Sequence, residues 1–261
     1  MIERPYGAIK ASLDSGVLTL TLNNPARKNA IGPMMANELL HALEDAKQDA
    51  EVRAVVLTGA GDAFCSGGDF AQMTSGAPGS DLPHKGDYAD LLLALSRSPK
   101  PIVARVNGVA MGGGLGLVAA SHFAVAIRGA KLGTPEINVG LFPMMIMAVL
   151  RRLVPRRRLL EMMLFGERFD ADHAKEIGLL NRVVEPVELD AAVKQITDAI
   201  LSKSPSTVRL GLEAFAAQDD LDLEEALPLL RERLARCLAT DDAREGLLAF
   251  LEKRSPKWTG K

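Results

Sequence analysis

Two glycine-rich turns carry the backbone groups that are best suited to stabilise a developing negative charge. Residues 63–69 read AFCSGGD, and residues 107–116 read NGVAMGGGLG. The second turn follows an apolar strand and opens a helix, which presents unpaired N–H groups at the positive end of a helix dipole. It lacks the Lys-Ser/Thr pair of a phosphate-binding loop and the spacing of a dinucleotide fingerprint. The turns therefore indicate either a transient oxyanion of acyl chemistry or close packing of a helix on a strand.

Three reactive side chains near these turns are interpreted as structural. Asp69 is expected to cap the turn or helix that follows it, because a carboxylate there accepts free N–H groups. His122 lies in an apolar run, which is typical of a satisfied core histidine. Cys65 is expected to pack rather than to act as a nucleophile. No order of Ser, His and Asp supports a catalytic triad.

The elements that must position the turns alternate between strand and helix. Apolar patterns predict strands at 17–22, 54–58, 102–106 and 123–127, and helices at 33–50, 88–97 and from about 114. This alternation favours an α/β fold with an at least partly parallel sheet. Beyond about residue 143 the pattern is mostly helical.

Composition limits the function classes. The chain has 261 residues, with 31 Lys and Arg against 33 Asp and Glu, so no basic field favours nucleic acid as a partner. Its two cysteines are far apart and indicate neither a disulfide framework nor a metal site, which fits a reducing cytoplasm. No secretory or organellar signal is recognisable at the N-terminus. The uncharged run 106–127 contains Asn, His and five glycines, and we expect it to be buried in the protein rather than in a membrane.

Five segments, taken in order, resemble the crotonase superfamily of enoyl-CoA hydratases and isomerases. They are NPARKNAI at 24–31, AFCSGGD at 63–69, VNGVAMGGG at 106–114, GTPEINVG at 133–140, and residues 245–258. The resemblance spans nearly the whole chain. It implies a spiral of ββα units with an acyl-CoA-binding core over residues 1–200. It also implies a C-terminal helical region over 201–261 that forms a homotrimer or a dimer of trimers.

The resemblance also implies the chemistry. The N–H groups of Gly68 and Gly113 would hold the thioester oxygen of an acyl-CoA, and Glu136 would move the proton. Gly116 stands where hydratases usually carry a second Glu. Hydration or dehydration of an enoyl-CoA is the first interpretation. A Δ3,Δ2-enoyl-CoA isomerase that uses one carboxylate and a non-catalytic acyl-CoA-binding protein are the alternatives. Without the resemblance, Glu136 would be interpreted as a carboxylate at a helix start.

Coenzyme A is expected as part of the substrate, and no separate cofactor is expected. The residues that the resemblance places against it are Arg27, Lys28, Ala30, Ser66 and Gly68, with Phe250 and Lys253 of the last helix often contributed by a neighbouring subunit. Residues 76–87 are expected to wall the acyl pocket. Residues 141–147 are interpreted first as a core helix, with the lining of an acyl tunnel as the alternative.

Overall fold

The computed structural model describes residues 4–69, 72 and 81–261. Within these ranges the strands form two sheets. The larger sheet has the order β1 (Ile9–Asp14), β2 (Val17–Leu22), β3 (Ala54–Gly59), β5 (Ile102–Val106), β7 (Phe123–Ile127) and β10 (Arg182–Val184). The smaller sheet has the order β4 (Ala63–Cys65), β6 (Val109–Met111), β8 (Lys131–Gly133) and β9 (Arg168–Asp170).

Beyond residue 143 the chain is mostly helical, as the pattern predicts, although the short strands β9 and β10 also lie there. They are α1 (Pro33–Gln48), α2 (Tyr88–Ser96), α3 (Gly113–Ala120), α4 (Met144–Leu150), α5 (Arg156–Phe165), α6 (Ala171–Glu176), α7 (Leu189–Leu201), α8 (Pro205–Gln218), α9 (Leu223–Leu238) and α10 (Asp241–Leu251). Short 3-10 turns occupy Pro25–Arg27, Pro135–Val139 and Pro186–Glu188.

From β3 to β8, consecutive strands belong alternately to the larger and the smaller sheet, and this alternation produces a spiral. Strands β3, β5 and β7 are neighbours in the larger sheet, whereas the strands that follow them, β4, β6 and β8, are neighbours in the smaller one. These neighbours pair in parallel, while β1–β2 and β8–β9 are antiparallel. The expected α/β spiral of ββα units is therefore confirmed.

The larger sheet is buried on both faces, which explains the continuous apolar run of β3. On one face Val56, Val103 and Val125 pack against Val193 and Ile196 of α7. The opposite face belongs to the main core, which also holds the buried side of α1. Residues 106–127 form the end of β5 and all of β6, α3 and β7, and the expectation that this run is buried in the protein is confirmed. Among the described helices, none combines the length and apolar character needed to cross a bilayer.

A buried carboxylate anchors the end of the chain to the C-terminal helices. Asp242 accepts hydrogen bonds from Ser204 Oγ at 2.7 Å, from Ser206 Oγ at 2.9 Å and from the Thr259 N–H at 2.7 Å. Burial acts to raise the pKa of Asp242, but these bonds to its ionised form outweigh burial and lower the pKa to about 2. The end of the chain is thereby fixed to the start of α10. The predicted division at residue 200 stays a prediction.

Candidate active site

The first glycine turn is fixed beside the segment that follows the Pro25–Arg27 turn. The Ile31 N–H donates to the Gly67 oxygen at 2.8 Å, and the Asp69 N–H donates to the Ile31 oxygen at 2.8 Å. The Ser66 N–H donates to the Lys28 oxygen at 2.9 Å. Residues 28–31 and 66–69 thus run in parallel. They bring together five of the residues predicted to contact CoA, which are Arg27, Lys28, Ala30, Ser66 and Gly68.

Two asparagines, neither of which was predicted to have a role, hold the loop between β3 and β4. Asn29 is fully buried, and its Nδ2 donates to the Ala60 and Ala63 oxygens at 2.8 and 2.9 Å. Asn107 Nδ2 donates to the Gly59 oxygen at 2.9 Å, while its Oδ1 accepts the Gly59 N–H at 3.1 Å. Both residues lie inside the motif segments. Only the fold shows that they satisfy the same loop.

The second glycine turn abuts the first. Gly112 has a φ of 48°, in the left-handed region that favours glycine, and its N–H donates to the Gly133 oxygen at 2.9 Å. Gly113 is the first residue of α3, so its N–H has no partner within the helix. A Cβ placed on Gly67 would lie 3.9 Å from the Gly113 nitrogen. Neither the Gly68 nor the Gly113 N–H donates to a described residue.

Gly68, Gly113 and Glu136 line one cavity of about 220 Å³. The structure therefore brings together the three residues predicted to be catalytic, while their roles stay predictions. The rest of the described lining is mostly apolar and consists of Ile31, Tyr88, Leu141, Phe142, Pro143, Met144, Met145 and Ile146. Such a cavity can take an apolar acyl chain and hold its carbonyl near Gly68 and Gly113, whose N–H groups have no partner in the described part of the chain.

Glu136 is the one carboxylate among the described residues that line the cavity. It stands in the first turn of the Pro135–Val139 helix, which is the position predicted for a purely structural carboxylate at a helix start. However, it is half-buried. Its Oε2 is buried and has no hydrogen-bond partner among the described residues. Burial raises the pKa of Glu136, against a smaller lowering by its own backbone N–H. A cavity carboxyl whose pKa is raised by burial is a candidate for proton transfer.

The position of the second glutamate has no room for one. Gly116 lies in α3 with the Tyr88 hydroxyl and the Ile146 side chain against its Cα, so a Cβ there would overlap both. The site is therefore a single-carboxylate site among the described residues. Tyr88, which was not among the predicted site residues, occupies this space.

The predicted CoA-binding cations differ in their surroundings. Arg27 Nη2 lies 3.1 Å from Asp69 Oδ1, so its charge is partly compensated, whereas Lys28 is exposed. Asp69 Oδ1 also accepts the Gln72 N–H at 3.1 Å, which confirms the predicted capping role. The side chain of Ala30 is buried, so only its backbone is available to a ligand.

Phe250 and Lys253 lie outside this group. Phe250 is on α10, which packs on α8 and α9, and its side chain is 82% exposed. Lys253 follows the end of that helix and is also exposed. Within one chain, the structure does not bring these two residues to the other predicted contacts.

The expectation that residues 141–147 belong first to a core helix is wrong for part of the segment. Leu141, Met144 and Met145 are 46%, 65% and 47% exposed and line the cavity, because α4 begins at the cavity edge. Ile146 is buried, as expected for core.

The expected acyl wall at 76–87 can be followed only in part. Residues 76–80 lie outside the described residues, and none of 81–87 lines the cavity.

Two structural interpretations are confirmed. His122 Nδ1 accepts the Ile102 N–H at 3.0 Å, and burial lowers the pKa of His122 to about 4. Cys65 is fully buried against Gly114, and burial raises the pKa of its thiol to about 12. Neither group is placed to act at the cavity.

The chain has relatives among known proteins in both sequence and fold. The model of the enoyl-CoA hydratase/isomerase family matches residues 12–261. The short-chain-enoyl-CoA hydratase of Clostridium acetobutylicum is 33% identical over 242 residues, which are 91% of this chain and 92% of that protein. The crystal structure of an enoyl-CoA hydratase of Mycobacterium smegmatis has a TM-score of 0.90 at 37% identity, covering 97% of this chain and 99% of that one. Human enoyl-CoA hydratase domain-containing protein 3 has a TM-score of 0.89 at 31% identity, covering 97% of this chain and 100% of that one.

Proposed function

Because the chain belongs to the enoyl-CoA hydratase/isomerase family, we propose that it adds water to an enoyl-CoA or removes water from a 3-hydroxyacyl-CoA. One observation carries the proposal: the half-buried Glu136 lines the same apolar cavity as Gly68 and Gly113, whose N–H groups donate to no described residue. Coenzyme A enters as part of the substrate, and no further cofactor is required.

The geometry supports a stepwise proton transfer through an enolate. The thioester oxygen accepts hydrogen bonds from the Gly68 and Gly113 N–H groups, which stabilise the negative charge as it forms. Glu136 takes a proton from water while the water oxygen bonds to C3, and the electrons of the double bond move toward the thioester oxygen. Glu136 then delivers that proton to C2, which restores the carboxylate and completes the addition of water.

The CoA portion is assigned to the exposed edge of the cavity. Lys28 and the half-exposed Arg27 supply positive charge for its phosphates, and the backbone near Ala30 and Ser66 faces its adenine. The apolar wall of Leu141 to Ile146 then receives the acyl chain.

Isomerisation is the second candidate, because a single carboxylate is sufficient to move a proton between two carbons of the acyl chain. Separate incubations with crotonyl-CoA and with a 3-enoyl-CoA distinguish the reactions through the conjugated thioester absorbance. We expect the absorbance of crotonyl-CoA to fall. A gain of absorbance from the 3-enoyl-CoA without loss from crotonyl-CoA would instead establish the isomerase. CoA binding with no turnover on either substrate would establish a non-catalytic acyl-CoA-binding protein.

We further propose that the chain assembles as a trimer, or as a dimer of trimers, in the cytoplasm. The C-terminal helices expose many large apolar side chains, which are Phe215, Leu223, Leu227, Leu234, Leu238, Leu247, Leu248, Phe250 and Leu251. Exposed apolar area of this extent is typical of a protein interface. In such an assembly, Phe250 and Lys253 of one subunit can reach the CoA of another.

Sedimentation velocity is expected to give at least three times the 27.9 kDa chain mass. Leu234→Glu with Leu238→Glu should dissociate the assembly, because both side chains lie on the exposed apolar side of α9. Val187→Glu, at a side chain that is 92% exposed outside these helices, is the matched control and should leave it intact. A wild-type monomer would contradict the proposal.

A further inference from the structure

Tyr88 occupies the space in which a second carboxylate would otherwise stand. Its hydroxyl and the Ile146 side chain lie against the Cα of Gly116, and a Cβ on Gly113 would lie 3.5 Å from the same hydroxyl. Tyr88 lines the cavity together with Glu136. Besides Glu136, it contributes the one polar side chain among the described lining residues.

The hydrogen bonding of Tyr88 determines what it can do in the cavity. Its hydroxyl donates to the Gly113 oxygen at 2.5 Å. A phenol has one O–H donor and two acceptor lone pairs, so the donor is committed and the cavity side of the oxygen can only accept. Burial, followed by the neighbouring Cys65 and Glu136, raises the pKa of Tyr88 well above its usual value. Tyr88 therefore stays a neutral phenol and is not a base.

The chain before Tyr88 is held firmly in place. The Lys85 N–H donates to Asn37 Oδ1 at 2.7 Å, and His41 Nε2 hydrogen-bonds the Pro83 oxygen at 2.8 Å. Asp87 then forms a capping box with Asp90 at the start of α2. These contacts fix the first residue of the helix, from which the Tyr88 side chain reaches the cavity.

We propose that Tyr88 positions the reacting water opposite Glu136. The Tyr88 oxygen accepts one O–H of this water, and Glu136 accepts the other O–H and removes that proton as the water oxygen bonds to C3. The proton passes to C2 through Glu136, and Tyr88 itself gains and loses none. Tyr88 thus supplies the second contact that a second carboxylate would have supplied.

This inference rests on the proposed hydratase function, and it is tested by comparing two reactions. The first is hydration of crotonyl-CoA, which needs the positioned water. The second is exchange of the C2 proton of butyryl-CoA in deuterium oxide, which needs the two amides and Glu136 but no attacking water. Tyr88→Phe should lower hydration at least about 10-fold, since a hydrogen bond left unmade in a buried site costs about that much. It should leave the exchange rate within about 3-fold, a span smaller than the contribution of a typical hydrogen bond.

Tyr6→Phe is the matched control, because Tyr6 is the other tyrosine of the chain and is not part of the cavity lining. It should change neither reaction. Thermal unfolding of both variants shows whether the fold is retained. Should Tyr88→Phe unfold, Tyr88→Met, whose smaller and flexible side chain also lacks the hydroxyl, is assayed in the same two reactions and should show the same selective loss.

The two proposals fail in different ways. Equal loss of hydration and exchange would mean that Tyr88 only supports the Gly113 peptide, and an unchanged hydration rate would mean that it contacts no water. Either result overturns the inference and leaves the hydratase function standing. Wild-type protein that exchanges the C2 proton but does not hydrate overturns both.

Discussion

Glu136→Gln lowers the turnover of enoyl-CoA hydration by at least about 10²-fold and leaves the affinity for CoA unchanged, if the carboxylate moves the proton. Glutamine has nearly the same shape as glutamate but cannot accept and return a proton. Glu136 lines the cavity with an unpartnered Oε2, so no described group stands ready to replace it. The initial rate of loss of crotonyl-CoA absorbance, together with titration of CoA, measures the two effects separately.

The pH dependence of the wild-type protein gives an independent check on Glu136. Burial raises the pKa of Glu136, so the inactive protonated form persists to higher pH than for an exposed glutamate. The kcat/KM for hydration should therefore fall as the pH falls through this raised pKa. Glu136→Gln should lose that limb of the profile.

Glu167→Gln is the matched control, because Glu167 is exposed and does not line the cavity. It should retain both the rate and the pH profile. An undiminished rate in Glu136→Gln would remove this residue from the mechanism. No other carboxylate among the described lining residues would then be present to transfer the proton.

The long buried strands could be predicted because each carries its own signal. The continuous apolar run of β3 and the alternation of β2 are visible in the sequence, and both strands form as predicted. Strands β4, β6, β8, β9 and β10 have only three residues each, too few to show a period. They exist because neighbouring strands satisfy their backbone groups. The smaller sheet was therefore not predictable strand by strand.

The candidate site was predictable to the extent that it depends on short motifs. The convergence of Gly68, Gly113 and Glu136 on one cavity follows from segments that the family resemblance had already singled out. The placement of the Tyr88 hydroxyl depends instead on the absence of a side chain at Gly116. No pattern in the sequence connects those two positions. The apolar run at Met144 and Met145 was ambiguous for a similar reason. Periodicity shows which residues are apolar but not whether they face a core or a ligand.

Gly113→Pro is expected to lower turnover by about 10²–10³-fold relative to Gly113→Ala, which is the usual effect of removing one oxyanion donor. Proline has no N–H, and it is well tolerated at the first position of a helix, where Gly113 stands in α3. The fold should therefore survive while one of the two amides is lost. Thermal unfolding of both variants checks this point.

Alanine is the matched reference because it retains the N–H and adds the same Cβ. That Cβ would lie 3.3 Å from Ile31 Cγ2 and 3.5 Å from the Tyr88 ring, and its packing effect is common to the two variants. Their ratio therefore reports the loss of the N–H together with the ring carbons that replace it. Free CoA has no thioester carbonyl, so both variants should bind it equally. Equal turnover of the proline and alanine variants would mean that the thioester oxygen is not held by the Gly113 amide. The enolate would then have to be stabilised elsewhere in the cavity.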